Sequence, residues 1–96
     1  ADIPTEGRPI KIDRPDHVQP RSIVPECYYL DGYVYITGDS TVTSIDGTVT
    51  RLSDNLQWSD NSTSYTLQID VPTDAGTYHL EFSLSDGSYY YGDYIL

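Results

Sequence analysis

Residues 64–71 alternate between apolar and polar side chains without a break, with Tyr65, Leu67, Ile69 and Val71 on one face and Thr66, Gln68 and Asp70 on the other. A two-residue period of this kind predicts a half-buried β-strand with the apolar set turned inward, and Pro72 stops it. Residues 76–84 repeat the pattern, with Tyr78, Leu80, Phe82 and Leu84 inward. Residues 27–30 and 33–36 flank Asp31-Gly32, a strong hairpin signal. A tight turn there pairs Tyr29 with Val34 and Cys27 with Ile36, so those side chains share one face. Residues 41–45 and 48–52 flank Asp46-Gly47 in the same way, which predicts a second, threonine-rich hairpin at a sheet edge. Residues 53–63 hold Ser-Asp-Asn at 53–55 and again at 59–61 and read as a polar loop anchored by Leu56 and Trp58.

The last hairpin turns at Ser85-Asp86-Gly87, and burial selects its register. A two-residue turn sets Asp93 opposite Leu80, which buries an unpaired carboxylate at a cost of several kcal/mol. A three-residue turn with Gly87 left-handed pairs Tyr90 with Phe82, Gly92 with Leu80 and Tyr94 with Tyr78. That register leaves Tyr89, Tyr91 and Asp93 on the solvent face.

Between the strands at 64–71 and 76–84 lies Asp74-Ala75-Gly76-Thr77-Tyr78, a turn, a glycine and a tyrosine opening a strand. In an immunoglobulin-like sandwich the E–F corner has this form, and the tyrosine hydroxyl bonds back to the backbone a few residues upstream. Asp74, Gly76 and Tyr78 are therefore expected to build a structural corner. The disulfide cysteine that usually follows two residues later is replaced by Leu80. Short strands, Asp-Gly turns and no helical period predict an all-β, immunoglobulin-like antiparallel β-sandwich of seven to eight strands, without a disulfide.

The first twenty residues carry Pro4, Pro9, Pro15 and Pro20, too closely spaced for a helix or a long strand. Residues 1–20 thus read as a proline-rich arm with a short edge strand possible at 9–13, and residues 21–96 as the sandwich. Residues 21–24 offer a second edge segment before Pro25. Composition supports the strands: β-branched residues abound, and ten tyrosines with a single phenylalanine must supply most of the buried aromatic area. Charge is lopsided. Residues 1–21 sum to zero, whereas residues 22–96 set eleven acids against Arg51 alone and carry the whole net charge of −10. Such a surface repels phosphate backbones and anionic lipid, so neither nucleic-acid binding nor direct membrane insertion is expected. Cys27 is the only cysteine, so the core holds by packing, and a buried, inert thiol is expected beside Glu26.

The succession Arg21-Ser22-Ile23, Leu30-Asp31-Gly32, Ile45-Asp46-Gly47, Ala75-Gly76-Thr77-Tyr78 and Tyr90-Tyr91-Gly92-Asp93-Tyr94-Ile95-Leu96 resembles the small exported immunoglobulin-like domains of unknown function common in gut Bacteroidetes. The likeness spans about residues 21–96 and implies a single sandwich, an exported location in the periplasm, at the cell surface or outside the cell, and no assigned activity. The Gly-x-Tyr strand near the end also resembles the C-terminal sorting domains of the Bacteroidetes type IX secretion pathway. Those tend to close on a basic strand, whereas this chain has no lysine after Lys11. Asp39-Ser40-Thr41 resembles the short O-glycan acceptor motif of exported Bacteroidetes proteins.

Catalytic chemistry finds little to use. His17 falls in the arm, His79 points outward between Thr77 and Glu81, and no Gly-x-Ser-x-Gly elbow is present. Two histidines and one cysteine lack zinc-site spacing, and Asp54, Asn55, Asp60 and Asn61 lack the spacing of a calcium loop, so no metal or cofactor is expected. The remaining candidates are aromatic. Trp58 in the polar loop and Tyr89 and Tyr91 on the last strand suit sugar rings or protein partners. In the plainer reading Trp58 plugs one end of the core and the tyrosines cover the outer face. The expectation is a non-enzymatic exported module, binding or structural, whose partner is an unidentified protein or glycan. A carbohydrate-binding module and a sorting domain are the alternatives.

Overall fold

The computed structural model describes residues 7–13 and 25–96; His17 and the segment 21–24 lie outside them. The described chain is all β, with strands β1 (Arg8–Pro9), β2 (Glu26–Leu30), β3 (Tyr33–Thr37), β4 (Ile45–Arg51), β5 (Leu56–Ser62), β6 (Thr66–Asp70), β7 (Thr77–Leu84) and β8 (Tyr89–Ile95). They form two four-stranded antiparallel sheets, in the orders β1-β2-β3-β6 and β5-β4-β7-β8. Between them the inward residues of every strand from β2 to β8 close one core, with Val34, Ile36, Ile45, Val49, Tyr78 and Leu80 fully buried. This is an immunoglobulin-like β-sandwich without a disulfide, and Cys27 is a free, buried thiol whose burial raises its pKa.

Two hairpins pair as their patterns require. Tyr29 faces Val34 and Cys27 faces Ile36 across the Asp31-Gly32 turn. Tyr90 faces Phe82, Gly92 faces Leu80 and Tyr94 faces Tyr78, with Gly87 left-handed at φ 88°. The corner also forms: the Tyr78 hydroxyl donates to the Asp74 carbonyl at 2.9 Å.

Three expectations fail for identifiable reasons. Asp46-Gly47 is not a turn but the interior of β4. Gly47 faces inward, where a Cβ would meet the ends of Ile69 and Leu67 at 2.9 and 3.0 Å, so it is a packing glycine. The real turn follows at 52–55, where Asn55 takes a left-handed φ of 59° and donates to the Arg51 carbonyl. Residues 53–63 are accordingly not one loop, because 56–62 form the edge strand β5. An edge strand needs few apolar residues, and only Trp58 of β5 packs against the core. Tyr65 is not inward; it is 49% exposed in the corner before β6 and spends its carbonyl on the Gly38 amide.

Residues 8–13 act as a strap. Arg8 and Pro9 pair with β2, the Ile10 amide donates to the Cys27 carbonyl at 2.9 Å, and the Ile10 side chain is buried. The chain then crosses to the other sheet. There Asp13 and Tyr91 exchange both backbone hydrogen bonds, at 2.7 and 3.0 Å. Gly92 permits the crossing, since a Cβ there would lie 2.4 Å from the Lys11 carbonyl oxygen.

Stacked rings replace the missing disulfide as the link between sheets. Tyr94 lies between Tyr78 at 5.1 Å and Tyr29 of the opposite sheet at 5.6 Å. The hydroxyls of this column differ sharply. Tyr78 is bonded, whereas buried Tyr94 has no hydrogen-bond partner among the described residues. Tyr78→Phe should therefore cost about 1–2 kcal/mol in urea denaturation, while Tyr94→Phe should be neutral or slightly stabilising. Equal losses in the two variants would contradict this account of the corner.

Candidate functional site

The outer face of the sheet β5-β4-β7-β8 is laid out in cross-strand rows. One row reads Asn61, Asp46, Ser83 and Tyr89, the next Ser59, Thr48, Glu81 and Tyr91, and the third Gln57, Thr50, His79 and Asp93. Tyr89 and Tyr91 stand two apart on β8, with ring centroids 6.3 Å apart and planes 36° apart. Both lean inward over β7. The Tyr89 hydroxyl donates to the Glu81 carboxylate, and the Tyr91 ring lies 6.2 Å from His79. The bond to Glu81, helped by partial burial, pushes the Tyr89 phenol up to about 12, so it stays a donor. Tyr89 and Glu81 form one wall of a shallow depression of about 470 Å³ that continues over Asp46, Thr48, Ser59 and Asn61.

Trp58 is not part of this surface. It pairs with Val49, faces the interior and packs against the core, with the Arg51 guanidinium 5.5 Å from its ring. The sequence-derived set of Trp58, Tyr89 and Tyr91 therefore splits across two faces of one sheet. Arg51 also bonds Asp54 at 2.8 Å and Asp74 at 3.3 Å, tying the β4–β5 turn to the Tyr78 corner. The bond to Arg51 holds the Asp54 carboxyl below its ordinary range.

The third row resembles a nucleophile, base and acid. His79 Nδ1 lies 2.6 Å from Asp93, and Thr50 stands opposite His79. But the Thr50 hydroxyl accepts from Gln57 at 3.2 Å, and no hydrogen bond joins it to His79. The row lies on an open sheet outside the depression, and strand amides committed to the ladder offer no oxyanion hole. Among the described residues no group of His, Cys, Asp or Glu could hold a metal ion.

The other sheet carries aromatics that the sequence reading did not single out. On its outer face Tyr28 stacks on Tyr35 at 4.8 Å, with planes 18° apart, and Tyr33 lies 6.1 Å from Tyr35 at 52°. Burial, then proximity to Tyr28, Tyr33 and Asp31, raises the Tyr35 pKa. The signal was available: pairing Cys27 with Ile36 inward obliges Tyr28, Tyr33 and Tyr35 to face out.

No protein-family model matches the chain, and no curated protein matches it. Among solved structures it is similar to a DUF3244 family protein with an immunoglobulin-like β-sandwich fold from Bacteroides vulgatus. The TM-score is 0.71 at 12% identity, over 94% of this chain and 98% of that one. At that identity the likeness establishes the fold, and the chain is an immunoglobulin-like β-sandwich built to the same plan.

Proposed function

We propose that this chain is a non-catalytic recognition module of an exported bacterial protein, working at the cell envelope, and that it binds a neutral glycan across the outer face of β4, β5, β7 and β8. The observation that carries the reading is the Tyr89 ring, held by Glu81 at the wall of the polar depression. An aromatic ring fixed beside carboxylate, hydroxyl and amide groups suits a sugar, whose C–H face stacks while its hydroxyls take the polar partners. Asp46 and Glu81, with no lysine or arginine in the lining among the described residues, select against uronate or sulfated chains. Export rests on the resemblance of residues 21–96 to exported Bacteroidetes domains, and the similar structure from Bacteroides vulgatus bears on the sandwich fold alone.

A glycan array holding neutral and anionic oligosaccharides tests this. Neutral glycans should be retained and anionic ones not. Tyr89→Ala should weaken retention by about tenfold, the scale of one lost aromatic contact, and Glu81→Gln should weaken it less. An array on which no neutral glycan binds, or on which Tyr89→Ala binds unchanged, would sink the proposal.

A further inference from the structure

The outer face of the opposite sheet has a different chemistry, and its reading is independent of the glycan proposal. Cross-strand pairing places Pro9, Tyr28, Tyr35 and Gln68 in one row and Leu30, Tyr33 and Asp70 in the next. Tyr28 and Tyr35 each cover one face of the other's ring, which leaves single ring faces and edges rather than a broad flat platform for a sugar. Tyr33 is turned 52° from Tyr35, which opens a notch between the two rings. Asp70 stands beside Tyr33 and Gln68 beside Tyr35 on the edge strand, and Asp31 sits in the adjoining turn. The tyrosines are half-buried, whereas Asp31, Gln68 and Asp70 are exposed. Among the described residues neither Asp31 nor Asp70 has a cationic partner.

We infer that the Tyr33–Tyr35 notch, with Asp70 and Gln68, is a docking site for an arginine side chain of a partner polypeptide. A guanidinium is planar and weakly hydrated, stacks on a tyrosine ring, and presents N–H groups in its own plane to a carboxylate and an amide oxygen. The notch supplies each of these groups from neighbouring positions on two strands. Charge argues for the same occupant, because residues 22–96 hold eleven acids and only Arg51 as a basic residue. A second copy presenting this same face is repelled, and a partner bearing arginine is attracted. Lysine fits less well, since a compact, strongly hydrated ammonium gains little from a planar slot.

The test is an NMR titration of the isotope-labelled chain at low salt with short peptides of alternating Arg and Ser, Lys and Ser, or Glu and Ser. The Arg peptide should move the ring signals of Tyr33 and Tyr35 and the amides of Gln68 and Asp70. It should bind at least about fivefold tighter than the Lys peptide, and the Glu peptide should not bind. Asp70→Asn and Tyr33→Leu should each weaken the Arg peptide by about tenfold, with the remaining amide signals showing an intact fold. Tyr89→Ala on the other sheet should leave this binding unchanged. Equal affinity for Arg and Lys peptides, shifts spread over Asp46 and Glu81, or no shift at all would overturn the inference. So would self-association through the Tyr33–Tyr35 face without peptide.

Discussion

Gly92→Ala should cost about 2–3 kcal/mol of stability, the range of an overpacking substitution whose obstacle is backbone. The added Cβ would fall 2.4 Å from the Lys11 carbonyl oxygen and 3.3 Å from the Ile12 Cα, so the strap must shift bodily. Gly92 is not among the glycines with positive φ, so its requirement is steric and not conformational. Gly47→Ala makes the control. Its Cβ would meet only side-chain ends, those of Ile69 and Leu67 tightly and that of Ile36 in ordinary contact at 3.5 Å; these can rotate away, and a loss nearer about 1 kcal/mol is expected. Urea denaturation gives both numbers, and amide exchange at Asp13 and Tyr91 shows whether the strap has left its seat. Gly92→Ala as mild as Gly47→Ala, with those amides still protected, would mean that the strap yields without cost.

Leu80→Ala should be the more damaging change, at about 3–4 kcal/mol. Leu80 is fully buried at the position where related sandwiches carry a disulfide cysteine. It pairs with Val49 on one side and Gly92 on the other. A domain of this size has a total stability of about 5–14 kcal/mol, so one truncated side chain removes a large share. The strands are fixed in a ladder on both sides, which limits collapse around the cavity. Ile95→Ala, at a site 70% exposed, should shift the urea midpoint little. Comparable shifts for Leu80→Ala and Ile95→Ala would show that the core is not held by close packing at Leu80.

Where a strand buries one face and exposes the other, alternation reveals it, and the β2–β3 and β7–β8 registers followed from the sequence for that reason. The same argument reached the Tyr78 corner, because its signature is local. It failed at β4, where Asp46-Gly47 has the composition of a turn and the use of a packing site. That misreading hid the continuous strand that sets Asp46, Thr48 and Thr50 beside Glu81 and His79, and with it the depression next to Tyr89. Trp58 was misplaced because an edge strand such as β5, mostly polar, looks like a loop. Of the three aromatics proposed for a ligand, Tyr89 and Tyr91 share a surface and Trp58 lies on the inner face. The crossing of residues 10–13 from one sheet to the other was beyond local reading. It depends on a glycine near the far end of the chain.

That crossing also fixes an order of events. Arg8 bonds the carbonyl of Ile95, 87 residues away, so the first strand closes on the last. In a chain made from its N-terminus, Ile10 and Ile12 are among the first of the described apolar groups to emerge, and Tyr91 and Gly92, against which the strap closes, are among the last. Until then the two isoleucines have no complete seat, and the core remains open along that edge. Contacts of such long range make sandwich folding slow, in the range of about milliseconds to seconds. The completed domain is thus sealed by residues made before any strand from β2 to β8, and whatever holds the nascent chain meanwhile must leave residues 8–13 free to close it.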